Sequence, residues 1–155
     1  MRFSFSKLTK QKKENSDKTV LFVCVENAGR SQMAEGFFRK YAPRGYVTLS
    51  AGTKPSGEIN PLAVEVMREV GIDISNQKSK EITEDMMRDS EKIVNMCCMD
   101  NSFCPTLFLP HVIDWGIEDP KGKQIEKIRE IRDDIDKSVR KLAAKLNKYN
   151  MQANL

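Results

Sequence analysis

The apolar residues of this chain follow two rhythms. Short continuous runs lie at Thr19-Val-Leu-Phe-Val-Cys24, Tyr46-Val-Thr-Leu-Ser-Ala-Gly52, Lys92-Ile-Val-Asn-Met-Cys97 and His111-Val-Ile-Asp114. Runs of that length, rich in β-branched and aromatic residues, predict strands buried on both faces. Between and after them, apolar positions recur at steps of three and four. Residues 31–42 read as a helix, with Ser31 able to cap its own start. Asn60-Pro61 opens a helix through about Val70, with proline in its first turn and Gly71 past its end. Thr83 begins a short helix within 82–89. Ile125, Ile128, Ile131, Ile135, Val139, Leu142 and Leu146 draw one buried stripe along a helix from Lys123 to about Tyr149.

Strands alternating with helices predict a single α/β domain, a parallel sheet with helices on both faces. Functional residues in such sheets gather at the C-terminal ends of strands. The residues with chemical potential obey this. Cys24 ends the first run, Cys97 ends the third, and Asp114 to Asp119 follow the fourth.

Composition adds limits. The 155 residues, 39% hydrophobic and 31% charged, suffice for one core. No apolar run approaches the roughly 20 residues of a membrane helix. The start, Met-Arg-Phe-Ser-Phe-Ser-Lys, lacks the apolar region of a secretory signal, so a cytoplasmic protein without a membrane partner is expected. The formal charge of +4 resides in residues 1–18, which hold six basic and two acidic residues. That stretch reads as a disordered polar tail, not as a nucleic-acid arm. The domain is expected over 19–150, with 151–155 frayed, acting as a monomer. Four cysteines, Cys24, Cys97, Cys98 and Cys104, in a chain without an export signal point to redox, catalytic or metal roles.

Cys24-Val-Glu-Asn-Ala-Gly-Arg30 is a tight loop between a strand and a helix, followed by Ser31. Val25, Glu26, Asn27, Ala28, Gly29 and Arg30 would offer backbone amides and a helix N-terminus to a tetrahedral oxyanion. Arg30 adds a planar fork that matches two of its oxygens. Ser31 can donate to the Cys24 sulfur. A cysteine at the mouth of such a cradle is a nucleophile placed under a bound anion. Free cysteines are also often simply buried. A nucleotide-binding P-loop is excluded, because no Gly-Lys-Ser/Thr ending is present. Asp119-Pro120 supplies a carboxyl group for protonating a leaving oxygen, a role that requires shielding from water; Asp-Pro is equally an ordinary turn pair. A zinc site from Cys97, Cys98, Cys104 and His111 lacks the paired Cys-x2-4-Cys spacing of structural zinc, so no metal is assigned there.

Val23-Cys-Val-Glu-Asn-Ala-Gly-Arg-Ser-Gln-Met-Ala-Glu35 resembles the signature of the low-molecular-weight tyrosine phosphatases and their thioredoxin-coupled arsenate reductase relatives. Ser50-Ala-Gly-Thr53, Val70-Gly-Ile-Asp-Ile-Ser75 and Trp115-Gly-Ile-Glu-Asp-Pro120 agree with it. The resemblance spans about 19–145 and implies a four-stranded parallel sheet, Cys24 as nucleophile and Asp119 as general acid. Within the family, the phosphatases need no second and third cysteine. The reductases place two with six residues between them, the second before proline, as Cys97 and Cys104-Pro105 stand here; Cys98 is extra. The resemblance therefore implies arsenate reduction through a cysteinyl–arsenate adduct and a Cys24, Cys97, Cys104 disulfide relay. Thioredoxin or a similar dithiol would regenerate it. Phosphatase action on phosphomonoesters is the alternative. Gly29 replaces a cysteine common in the family, and Lys121-Gly122 replace the aromatics that stack on phosphotyrosine. No tightly bound cofactor is implied. Some reductases bind potassium beside the loop, and Asn27, Glu35 and Ser50 match side chains of that site. Lys80 stands where an acidic ligand is expected, and its ammonium would take the cation's place.

Overall fold

The computed structural model describes residues 17–96 and 112–153. Four strands, β1 (Lys18–Cys24), β2 (Tyr46–Gly52), β3 (Lys92–Asn95) and β4 (Val112–Asp114), form one all-parallel sheet in the order β2-β1-β3-β4. The helices are α1 (Arg30–Tyr41), α2 (Pro61–Glu69), α3 (Glu84–Asp89) and α4 (Ile125–Ala153). The α/β architecture expected from the run pattern is the one observed. β3 ends at Asn95, two residues short of the sequence expectation, and α4 continues to Ala153.

β1 is central, and its alternation explains the two layers. Val20, Phe22 and Cys24 face one side, where they meet Met33, Ala34, Phe37 and Phe38 of α1, Val66 and Met67 of α2, and the isoleucine stripe of α4. Leu21 and Val23 face the other, with Ala51, Ile93 and residues Met86 and Met87 of α3. Phe22 anchors the larger layer, its ring centroid 5.9 Å from those of Phe38 and Trp115. The helix starts follow sequence chemistry at two places. Asn60 caps α2 by accepting from the Leu62 amide at 3.0 Å, and Thr83 caps α3 by accepting from the Met86 amide at 3.1 Å.

α1 carries a glycine in its interior for a packing reason. A β-carbon on Gly36 would stand 2.8 Å from Ile74 Cγ2 and 3.2 Å from both Ile72 Cγ2 and Met67 Cε. Ile74 and Met67 are fully buried, so these atoms have little room to yield. Gly36→Ala gains about 1 kcal/mol in helix propensity but incurs about 1–3 kcal/mol of overpacking. A net loss of up to about 2 kcal/mol is expected, read as a lower urea midpoint with unchanged slope.

Candidate active site

The register that pairs Cys24 with Gly52 creates the loop's setting. A β-carbon on Gly52 would strike the Val25 carbonyl oxygen and lie 2.9 Å from the Asn27 nitrogen, so the loop folds back over a position that tolerates no side chain. The segment after β2 then takes up the loop's carbonyls. Amides of Thr53, Lys54, Ser56 and Asn60 donate to the carbonyls of Cys24, Val25, Glu26 and Ala28 at 2.8–3.2 Å. A trans peptide sets N–H opposite C=O. The amides of Val25, Glu26, Asn27 and Gly29 are thereby turned away from that segment.

Asn27 holds the bend. It is fully buried, with φ of 49°, in the left-handed region that asparagine tolerates better than most residues. Its Nδ2 donates to Ser31 Oγ at 2.7 Å. Its Oδ1 accepts from Gln32 Nε2 at 3.0 Å and from the Lys80 amide at 2.9 Å. Gln32 Nε2 also donates to the Asn27 and Lys78 carbonyls, and Gln77 Nε2 holds Gln32 Oε1 at 2.8 Å.

Cys24 is 2% exposed, its Sγ 2.8 Å from Ser31 Oγ. Asn27 occupies one lone pair of Ser31 Oγ, so the hydroxyl can donate its hydrogen to an ionised Cys24 sulfur or accept one from the thiol. This corrects the capping expectation. α1 begins at Arg30 behind Gly29, which supplies no side-chain cap, and Ser31 serves the thiol instead.

Arg30 is buried, and its role is divided. Nη1 donates to the Met96 and Ile117 carbonyls at 2.9 Å each, while Nη2 lies 3.9 Å from Asp119 Oδ2. Nη1 is thus committed to the protein, and the fork for two oxygens is the other planar edge of the guanidinium, Nε with Nη2. Asp119 faces the cavity mouth with its side chain 59% exposed, and its Oδ1 accepts the Lys121 amide at 3.0 Å. It is both a turn residue and a cavity residue, and the shielding expected of a general acid is not supplied by its surroundings. Pro120 is buried against Gly29, where a β-carbon would lie 2.9 Å from Pro120 Cγ. A cysteine at position 29 would therefore collide with the acid loop. Above Cys24 the cavity measures about 280 Å³.

Behind the loop lies the group considered for a cation. Glu35 is buried, with Arg39 Nη2 at 3.5 Å and Lys80 Nζ at 4.0 Å. Burial pushes the Glu35 carboxyl up, and the Lys80 and Arg39 charges pull it part of the way back. Burial likewise pushes the Lys80 ammonium down, against the pull of Glu35. Ser50 Oγ is buried without a hydrogen-bond partner among the described residues, although it lies near enough to help hold Glu35 ionised. Asn27 Oδ1 has both lone pairs engaged. These residues do not fit a metal ion, because the ammonium already balances Glu35 and the asparagine oxygen is taken. No cluster of three His, Cys, Asp or Glu side chains suited to a metal occurs among the described residues.

Cys97, Cys98, Cys104 and His111 lie outside the described residues. Cys24, Arg30, Ser31, Asp119 and the loop Val25–Arg30 are brought together. Sequence reading passed over Gly52, Gln32 and Gln77. A glycine ending the strand beside the cysteine strand is a signal for the first. Nothing local marks the glutamines, whose partners other than Asn27 are far along the chain.

The profile of the family described as low molecular weight phosphotyrosine protein phosphatase matches residues 19–152. An arsenate reductase of Brevibacillus brevis is 41% identical over 128 residues, covering 81% of this chain and 94% of the relative. One of Staphylococcus aureus is 40% identical, covering 80% and 95%. Among solved structures, an arsenate reductase in the phosphate-binding state superimposes with a TM-score of 0.75 at 36% identity, covering 83% of this chain and 98% of that one. A Corynebacterium glutamicum thioredoxin-dependent arsenate reductase gives 0.71 at 36%, covering 85% and 63%. A low molecular weight protein tyrosine phosphatase from T. tengcongensis gives 0.72 at 27%, covering 83% and 99%.

Two variants test the loop's supports. Asn27→Ala removes its side-chain bonds and places alanine in a left-handed conformation, with an expected cost of about 2–4 kcal/mol. Phosphate binding, read by calorimetry, should weaken at least about tenfold. Asn27→Gly should recover only the backbone share. Lys80→Ala leaves Glu35 without its ammonium and should cost about 1–2 kcal/mol near pH 7, between exposed and buried pairs. The sign with pH follows from Glu35, whose carboxyl is raised by burial and further raised in the variant. Where Glu35 is charged in the folded protein the cost is full; as pH falls through its raised folded-state range, parent and variant both take up the proton and the cost disappears. Urea titrations at several pH values measure it.

Proposed function

The chain belongs to the low molecular weight phosphotyrosine protein phosphatase family, and from that premise we propose that it reduces arsenate to arsenite. The observation that carries the reading is the buried Cys24 thiol, 2.8 Å from Ser31 Oγ, beneath a small cavity lined by the loop and Asp119. Likeness to relatives named arsenate reductases, across four-fifths of the chain, supports arsenate as the oxyanion.

In this reading the Cys24 sulfur attacks arsenic, with the loop amides and the Nη2 end of Arg30 stabilising the charge that builds on the oxygens. Asp119, shielded from water by the oxyanion itself once that fills the cavity, gives a proton to the departing oxygen, which leaves as water. Cys97 then attacks the Cys24 sulfur. The sulfur–arsenic bond breaks, arsenic keeps its electron pair, and arsenite leaves as a Cys24–Cys97 disulfide forms. Cys104 attacks Cys97 and releases the Cys24 thiolate. Thioredoxin, or a dithiol of its kind, reduces the Cys97–Cys104 disulfide. Two features favour this order. The β1–β3 register sets Val23 beside Asn95, and the Met96 amide donates to the Val23 carbonyl at 2.8 Å. Met96 thus runs alongside Cys24, and Cys97 is the next residue in the chain. The enzyme would act as a monomer in the cytoplasm. Lys80 would serve in place of potassium behind the loop, making activity independent of that ion.

Likeness to a solved tyrosine phosphatase keeps phosphomonoester hydrolysis as the second reading. One assay separates them: NADPH oxidation with arsenate, thioredoxin and thioredoxin reductase. Cys24→Ser, Cys97→Ser and Cys104→Ser should each abolish turnover, a loss of at least about a hundredfold for a nucleophile. Aryl phosphate hydrolysis that persists in Cys97→Ser and Cys104→Ser, without arsenate turnover in the parent, would establish the phosphatase instead.

A further inference from the structure

Glu26 is an unexpected residue for a loop that holds an anion. Its carboxylate lines the same cavity as Cys24 and Arg30, where a free negative charge would repel the substrate. Lys121 answers it from the other side of the mouth. Its Nζ lies 2.7 Å from Glu26 Oε1, across 95 residues of sequence. Three contacts bring the acid loop close enough for this. Arg30 Nη1 holds the Ile117 carbonyl, Pro120 packs on Gly29, and the Lys121 amide closes the turn on Asp119.

An ion pair this exposed, 69% at Lys121 and 39% at Glu26, adds little to stability. Its consequence is spatial and electrostatic. It joins the oxyanion loop to the acid loop beside Asp119, the direction from which a leaving group would depart. The cavity, at about 280 Å³, falls just below the roughly 300–1,000 Å³ range of small-molecule sites, and its described lining holds no aromatic face. We propose that the Glu26–Lys121 pair is a bar across the mouth that sets specificity, admitting a free tetrahedral oxyanion and obstructing phosphate esters that carry an aryl group. Lys121 is in this sense a specificity residue, and neutralising Glu26 is its second effect. The inference rests on Cys24 being the site of oxyanion capture.

The test compares two quantities in each variant: kcat/KM for p-nitrophenyl phosphate, and the association constant of inorganic phosphate by calorimetry. Both are measured at a pH above the second ionisation of phosphate, where each ligand is a dianion, so that a change in loop charge acts on both in the same direction and largely cancels in their ratio. Glu26→Ala with Lys121→Ala should raise the ratio about three- to fivefold, the most that an ion pair this exposed can exclude. The exchanged pair, Glu26→Lys with Lys121→Glu, rebuilds the bar and should stay within about 1.5-fold of the parent. Lys121→Ser repeats the test with one exposed change should the double variant not fold. Lys121→Ala alone should weaken phosphate binding, more at low ionic strength than at about 1 M salt, where the Debye length is about 3 Å. An unchanged ratio in the opened variants, or an equal rise in the exchanged pair, overturns the bar. Failure of the parent to turn over arsenate would overturn the reductase reading and leave these measurements intact.

Discussion

The left-handed turn at Asn27 is the constraint on which the site depends. One residue fixes the reversal of the chain after β1, and its side chain bonds forward to Ser31 and Gln32 and across to the Lys80 backbone. The thiol's own partner is positioned by this node, since Ser31 Oγ is held by Asn27 on one side and faces Cys24 on the other. Gly52 completes the arrangement by leaving room for the loop to fold back. A cradle for an anion is thus built from neutral hydrogen bonds between buried amides, groups that need satisfied partners once removed from water.

Charge enters at three depths. Arg30 links the loop to the Met96 carbonyl at the end of the β3 strand and to the Ile117 carbonyl after β4, so the cation of the site also fastens three strand ends together. Glu35 and Lys80 form a half-buried pair behind the loop, each shifted toward its neutral form by burial and held charged by the other. Glu26 and Lys121 face each other at the surface. The charge that an anion in the cavity would meet therefore depends on which of its lining carboxylates are already engaged, not on the number of basic residues nearby.

The sheet, the helices and the nucleophile's loop were legible in the sequence because they are written locally. A β-branched run, a seven-residue loop and a three-and-four periodicity suffice to place Cys24, Arg30 and Ser31. What escaped was whatever joined distant parts of the chain. Ser31 reads as a cap because serine at a helix start usually caps, but Asn27 and the cysteine sulfur claim its hydroxyl instead. The second task of Arg30, holding main-chain carbonyls 66 and 87 residues away through Nη1, has no sequence signature. Gln32 and Gln77 meet across 45 residues. The exposure of Asp119 was equally hidden, since it depends on how the acid loop lies against Gly29.

The burial of Cys24 also governs the chemistry that the protein avoids. At 2% exposure its sulfur is approached through the same small cavity that gathers anions. A neutral alkylating agent finds no partner among the loop's donors, whereas an anionic one is drawn along the substrate's route. Under the proposed reading the cradle would work as a gatekeeper as well as a binding site. It would let a nucleophilic sulfur persist amid the electrophiles of a living cell, and it would leave that sulfur most vulnerable to toxicants that imitate the charge and shape of its proper target.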